Sequence, residues 1–127
     1  QIVDLHNNLI TTLPRDLFAE ANALETLDLS ENNISLTNTK MFENLLQLTS
    51  LNMADNQISY LPGRFSILPN LLLLDLSNNS LVSLPSHAFN SLKKLLKLDL
   101  SHNMIKTITP NAFFGMDSLM EIDIGHN

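Results

Sequence analysis

Apolar residues return along this chain in one fixed frame. It is spelled most plainly by Leu95-Leu96-Lys97-Leu98-Asp99-Leu100-Ser101-His102-Asn103-Met104-Ile105. Counting from the first leucine, position 1 is Leu24, Leu48, Leu71, Leu95 and Leu119. Position 4 is Val3, Leu27, Leu51, Leu74, Leu98 and Ile122, and position 6 is Leu5, Leu29, Met53, Leu76, Leu100 and Ile124. The alternation around positions 4 and 6 has period two, which predicts a short strand with one face buried. Position 9 is Asn8, Asn32, Asn56, Asn79, Asn103 and Asn127, at intervals of 24, 24, 23, 24 and 24 residues. Self-similarity at this period predicts stacked units in which each turn buries its apolar face against the next. The strands then line up in parallel at roughly 4.8 Å per turn.

The frame continues past the strand. Position 11 is Ile10, Ile34, Ile58, Leu81 and Ile105, and position 14 is Leu13, Thr37, Leu61, Leu84 and Ile108, with the second repeat departing at Thr37. Phe18, Phe42, Phe65, Phe89 and Phe113 follow near position 19, and Ala21, Leu45, Leu68, Leu92 and Met116 close the turn. Five stacked rings predict an aromatic spine on the side opposite the strands, where burial of large rings dominates the packing energy. Short helical turns or loops are expected there, for instance over residues 15–21 and 86–92. Pro14, Pro62 and Pro85 suit entry into such turns. The third repeat is one residue short between Pro62 and Phe65, which predicts a tighter turn. A coiled coil fails as an alternative, because the period is 24 rather than 7 and five prolines interrupt any long helix.

The asparagines are expected to be structural. Where the chain leaves the strand and turns through the interior, backbone groups lack ladder partners, and leaving them buried and unpaired is costly. An amide side chain both donates and accepts, so it can bridge adjacent turns.

The sequence comprises 127 residues with net charge −6, from 13 acidic and 7 basic side chains. That balance argues against a nucleic-acid backbone or an anionic membrane surface as partner. The longest purely apolar run is Leu71-Leu72-Leu73-Leu74, far short of a membrane span. Gln1-Ile2-Val3-Asp4 shows no basic n-region of a secretory leader. With no cysteine there is no thiol nucleophile, thiolate metal site or disulfide. Three glycines, Gly63, Gly115 and Gly125, build no phosphate-binding loop. No cofactor is expected.

These residues resemble the typical 24-residue class of leucine-rich repeats of animal extracellular proteins, whose pattern is L-x-x-L-x-L-x-x-N-x-I-x-x-L-P-x-x-x-F-x-x-L-x-x. Residues 71–94 match nearly throughout, with Leu84-Pro85 and Phe89, and the resemblance covers essentially the whole chain. Toll-type receptor ectodomains, chaoptin-like adhesion proteins and neuronal guidance or matrix proteins share the pattern. The resemblance implies an α/β solenoid, a leucine-rich repeat horseshoe with a parallel concave β-sheet and short helical turns or loops on the convex side. Residues 1–127 read as a single array of about five repeats plus a partial sixth, with starts near 1, 24, 48, 71, 95 and 119. Neither end carries the Cys-rich cap that the resemblance would supply, so a piece of a longer ectodomain is expected.

The resemblance implies that positions 2, 3, 5, 7 and 8 face the concave side, and alternation supports it, since positions 4 and 6 point inward. Position 5 is Asp4, Asp28, Asn52, Asp75, Asp99 and Asp123, a file of five carboxylates and one amide. Like charges side by side across strands repel, so removing one is expected to be neutral or mildly stabilising. The file reads either as a stripe for a basic partner or as aspartates bonded locally to backbone and serine. Next to it, Leu72, Leu73, Leu96 and Met120 replace the polar residues of earlier repeats. An apolar run with a polar rim predicts a contact surface. The partner-binding candidates are therefore Leu72, Leu73, Asp75, Leu96, Asp99, Met120 and Asp123.

His102 and His126 share position 8 in successive repeats, near Asp99 and Asp123. The pair reads either as two solvated imidazoles or as a zinc or pH-sensing site, and no metal site is assigned. Asp99, Ser101 and His102 contain the letters of a hydrolase triad, yet adjacent residues on an open sheet offer no oxyanion pocket. No catalytic residue is assigned, and the chain is read as non-enzymatic. Asn33-Ile34-Ser35 and Asn78-Asn79-Ser80 are glycosylation sequons, giving Asn33 and Asn78 as candidate acceptors of a glycoprotein.

The expected function is a protein–protein interaction module of an extracellular or cell-surface receptor or adhesion protein, in a setting such as innate immunity. The partner is a protein bound on the concave face or lateral rim, with self-association a further option and no membrane contact in this segment. Two alternatives stay open: a structural spacer within a longer solenoid, and an intracellular scaffold.

Overall fold

The computed structural model describes residues 1–35, 39–61 and 68–127. Its strands are β1 (Ile2–Asp4), β2 (Thr26–Asp28), β3 (Ser50–Asn52), β4 (Leu73–Asp75), β5 (Ser83–Leu84), β6 (Lys97–Asp99), β7 (Thr107–Ile108) and β8 (Glu121–Asp123). Six of them form one parallel sheet in the order β1-β2-β3-β4-β6-β8. Each turn of the coil contributes one strand, because the apolar frame allows only two or three alternating residues before the asparagine turn. Register is strict: Val3, Leu27, Leu51, Leu74, Leu98 and Ile122 stand side by side. In the middle turns positions 4 and 6 are sealed, with Leu27, Leu29, Leu51, Met53, Leu74, Leu76, Leu98 and Leu100 all buried.

Position 9 carries the interior hydrogen bonds. The Asn79 amide Nδ2 donates to the carbonyls of Met53, Leu76 and Ser77, at 3.0–3.1 Å. Its Oδ1 accepts the N–H of Ile58 at 2.9 Å. Asn32, Asn56 and Asn103 repeat the arrangement. Asn127 does so at the last turn, accepting from Ile105. Asn8 bonds only within its own turn, to the carbonyls of Leu5 and His6. Each interior asparagine thus joins its own turn to the preceding one and satisfies backbone groups that water cannot reach.

The residue just before each asparagine takes the left-handed conformation. Asn7, Glu31, Asp55, Asn78, His102 and His126 have φ between 50° and 57°. This reversal swings the chain from strand to interior in one step. L-residues enter it at a cost of roughly 1–2 kcal/mol, which the neighbouring amide bonds help offset.

The convex side carries the expected short turns and loops, with little regular helix. Among the described residues there is no α-helix, and the regular helical element is a 3-10 turn, Lys40–Phe42. Residues 15–21 and 86–92 are consecutive tight turns. The N–H groups of Leu17, Ala19 and Ala21 donate to Pro14, Asp16 and Phe18, and those of Ala88, Asn90 and Leu92 to Pro85, His87 and Phe89. A 3-10 path rises about 2.0 Å per residue against 1.5 Å for an α-helix, so it covers the return journey with fewer residues. A two-stranded parallel ladder also forms here, β5 with β7, pairing Ser83 with Thr107 and Leu84 with Ile108. The period-two signal at this place was too short to predict it.

Phe42 and Phe89 are fully buried and Phe18 nearly so, while Phe113 is half-buried. The Phe89 and Phe113 rings lie parallel within 4°, with centroids 6.4 Å apart. Phe65, the departure at Thr37 and the shortened turn between Pro62 and Phe65 lie outside the described residues.

Candidate functional site

The concave face is built from positions 3 and 5, which alternation puts on one side of the sheet. Position 5 lines up in register as Asp4, Asp28, Asn52, Asp75, Asp99 and Asp123. Each carboxylate is held locally. Asp75 Oδ1 accepts from the Ser77 N–H at 2.9 Å and the Ser77 hydroxyl at 2.7 Å. Asp28 with Ser30 and Asp99 with Ser101 repeat the pair of bonds. Asp123 Oδ1 accepts the Gly125 N–H. Asn52 interrupts the file, its Nδ2 donating to Asp28 Oδ2 at 3.2 Å. Repulsion is therefore diluted by a hydrogen-bond donor beside each acid.

The serines correct the expectation that position 7 faces outward. Ser30, Ser77 and Ser101 are buried, as is Ala54, because the chain is already turning inward there. Positions 3, 5 and 8 stay outward, and position 2 lies at the edge where the strands begin.

The apolar candidates separate into two groups. Leu73 lies in β4 with 46% of its surface exposed, flanked in register by Ser50 and Lys97. Leu72, Leu96 and Met120 occupy the preceding position, at the edge where strands begin. There the Leu96 N–H donates to Leu72 and the Met120 N–H to Leu96. Leu72 and Leu96 are half-buried and Met120 is 84% exposed. The expected unbroken apolar run beside the acidic file is thus not formed. Position 3 intervenes, and beyond Leu73 it carries Lys97 and Glu121, whose side chains meet at 2.8 Å. The Glu121 hydrogen bond, reinforced by its charge and by Asp99 and Asp75, raises the Lys97 ammonium above its ordinary value.

A shallow depression of about 320 Å³ opens in the centre of this face. It brings together Leu73, Asp75 and Asp99 from the candidate set, and adds Ser50, Asn52 and Lys97. Leu72, Leu96, Met120 and Asp123 lie outside its lining. Lys97, which in sequence belongs to a basic cluster with Lys93 and Lys94 that reads as a solvated rim, is not among the partner-binding candidates. Taken by itself, position 3 runs Ile2, Thr26, Ser50, Leu73, Lys97, Glu121, and the ion pair is visible as adjacent opposite charges.

At the edge where strands end, the His102 and His126 rings stack at 4.4 Å, 12° from parallel. Ser101 gives its hydroxyl to Asp99 and not to His102, so no nucleophile–base pair exists there. Among the described residues, no group of three or more His, Asp or Glu is placed around a metal position. At the other end of the sheet His6 Nδ1 meets Asp4 Oδ1 at 2.6 Å. That hydrogen bond lowers the Asp4 carboxyl and raises the His6 imidazole relative to their ordinary values. The sequon residues Asn33 and Asn78 are both exposed. No helix among the described residues is long and apolar enough to cross a membrane.

Comparison with known proteins agrees with this geometry. The leucine rich repeat family model matches residues 1–58 and 69–127. A rat (Rattus norvegicus) leucine-rich repeat-containing G-protein coupled receptor 5 is 35% identical over 86 residues, which is 67% of this chain and 9% of the receptor. A solved complex of TLR13 with ssRNA13 aligns over 98% of this chain at TM-score 0.93 and 38% identity, covering 18% of that chain. The Toll–Spatzle complex of Drosophila development and innate immunity aligns over 98% at TM-score 0.90 and 26% identity, covering 16% of that chain. The leucine-rich repeat domain of APL1B aligns over 99% at TM-score 0.87 and 26% identity, covering 38%. The chain therefore spans less than two-fifths of each of these relatives. The family model matches nearly the whole of a chain that carries a 24-residue frame, an in-register parallel sheet and an asparagine ladder, and this chain belongs to the leucine-rich repeat family.

Proposed function

We propose that this chain is a protein-binding segment of a receptor-type ectodomain at the cell surface, and that it engages its partner through the C-terminal half of the concave face. The observation that carries the reading is the depression around Leu73. There a half-exposed leucine stands beside Lys97 in register and shares the depression with the carboxylates Asp75 and Asp99. An apolar anchor ringed by charge is the anatomy of a small interface centre. Leu72, Leu96 and Met120 extend the contact along one edge, and Asp123 extends the acidic file. A partner presenting a basic side chain between apolar ones complements this surface. The net charge of −6 and the acidic file disfavour phosphate backbones at the same place. Kinship with Toll-type and leucine-rich repeat receptors supports the receptor setting. In a secreted setting Asn33 and Asn78 are the glycan acceptors, and a glycan on Asn78 bounds the interface at the edge where strands end.

The test is a binding measurement on the intact parent protein and its protein ligand. Leu73→Glu with Leu96→Glu is expected to abolish binding while leaving the fold intact. Asp99→Asn weakens binding mainly at low salt, because exposed charges tune association and are screened. The reading is lost if the double variant folds and binds unchanged while Lys106→Glu, away from the concave face, removes binding. That outcome would move the contact to another face of this chain; the spacer reading is favoured instead if none of these substitutions changes binding, and the local hydrogen bonds of Asp75 and Asp99 accommodate it.

A further inference from the structure

The stacked histidines lie apart from the docking depression. We propose that His102 and His126 form an open two-imidazole coordination site for a borderline divalent transition metal, Zn²⁺ or Ni²⁺. Imidazole nitrogen is the donor such ions favour, whereas Mg²⁺ and Ca²⁺ prefer oxygen.

The pair is built rather than incidental. Both residues stand at position 8 of adjacent turns, with φ of 52° and 57°. The His102 N–H is tied to the Gly125 carbonyl at 2.9 Å. The following residues, Asn103 and Asn127, are each anchored by their amides to the preceding turn. The backbones that carry the rings are therefore held, and only side-chain torsions are free. The ring centroids are 4.4 Å apart and the planes nearly parallel. Two nitrogens bound to one tetrahedral ion at 2.0–2.1 Å lie about 3.3 Å apart. Because each imidazole donates in its own ring plane, the stacked rings must unstack to bind, each turning by roughly half of the ~109° tetrahedral angle about its side-chain torsions, which two exposed side chains on held backbones are free to do. The corresponding residues of the earlier turns are Asn7, Glu31, Asp55 and Asn78, so the imidazole pair belongs to the last two turns alone.

With no third protein donor among the described residues, the remaining coordination positions are open. They take water in the free chain and a carboxylate or imidazole of an incoming protein in a complex. A site of this kind binds the ion weakly alone and more tightly across an interface.

Titration calorimetry with Zn²⁺ alone, Ni²⁺ alone and Mg²⁺ alone tests this on the chain, in a buffer without amines. His102→Asn and His126→Asn are the variants of choice. Asparagine already occupies this position at Asn7 and Asn78 with φ of 52° and 50°, so the backbone is preserved. We expect one Zn²⁺ or Ni²⁺ per chain, no Mg²⁺ binding, and at least a tenfold loss in either variant. His87→Asn, on the convex turn, leaves the affinity unchanged. As a check that needs no substitution, Ni²⁺ broadens the His102 and His126 ring resonances before those of His6 and His87. Unchanged affinity in either variant, or first broadening at His6 or His87, overturns the proposal.

Discussion

At the scale of single residues, the asparagines and aspartates do different work with similar side chains. Asn79 makes four hydrogen bonds in a dry turn, three through Nδ2 and one through Oδ1. Asn79→Ala leaves buried backbone groups without partners and should destabilise by about 1–3 kcal/mol in denaturant titrations. Asp75 looks from its file like a source of repulsion, but it is the acceptor for both Ser77 donors, and Ser77 is buried. Asp75→Ala should therefore destabilise by about 1 kcal/mol, with Asp75→Asn close to neutral because an acceptor remains. A stabilised alanine variant would mean that repulsion outweighs the local bonds. The Asp4–His6 pair gives a pH signature. The raised His6 value means its stabilisation is complete below the ordinary imidazole value near ~6.5 and is lost as pH rises through the folded value. The lowered Asp4 value means its stabilisation is present above the ordinary carboxyl value near ~3.9 and is lost as pH falls through the folded value. The pair is thus intact between these two ordinary values. Asp4→Asn should bring the His6 midpoint down in an NMR titration, and an unmoved midpoint would contradict the assignment.

At the scale of elements, a turn of the coil such as residues 71–94 is a three-residue strand facing a run of tight turns, and neither is stable by itself. Burial against the neighbouring turns is what holds them. Phe89 shows this: it is fully buried and stacks on Phe113 of the next turn. Phe89→Ala should cost about 3–5 kcal/mol, whereas Phe114→Ala, at a side chain 60% exposed, should stay within about 0.5 kcal/mol. Thermal unfolding of both variants decides it, and equal losses would mean that the spine is misassigned. The Lys97–Glu121 bridge is largely exposed at both ends, so it shapes the concave face more than it stabilises it.

At the scale of the whole molecule, the array is a one-dimensional stack, and its strength is distributed along its axis. The central strands β3 and β4 have neighbours on both sides. In β1 and β8 the corresponding side chains are more open, with Val3 half-buried and Ile122 38% exposed. In the 127-residue chain, amides of β1 and β8 should exchange with solvent well before those of β3 and β4. Uniform protection across all six strands would show that the chain unfolds only as a unit. The same open faces make self-association at high concentration the expected behaviour of this chain in isolation, measurable by light scattering.

What the sequence determined by itself was the repeat, the inward faces and the ladder. A 24-residue frame and a period-two strand leave one way to bury positions 4 and 6, and an amide at position 9 supplies both the donor and the acceptor that the turn needs. The tertiary structure decided what those positions do outside the core. It buried the position 7 serines against the aspartates, set Lys97 beside Leu73 in register, chose tight turns over regular helix on the convex side, and laid one histidine ring on the next. These outcomes depend on side-chain direction and on register between turns. Residues some 24 apart in sequence become nearest neighbours there, and no local pattern of apolar and polar residues carries that information.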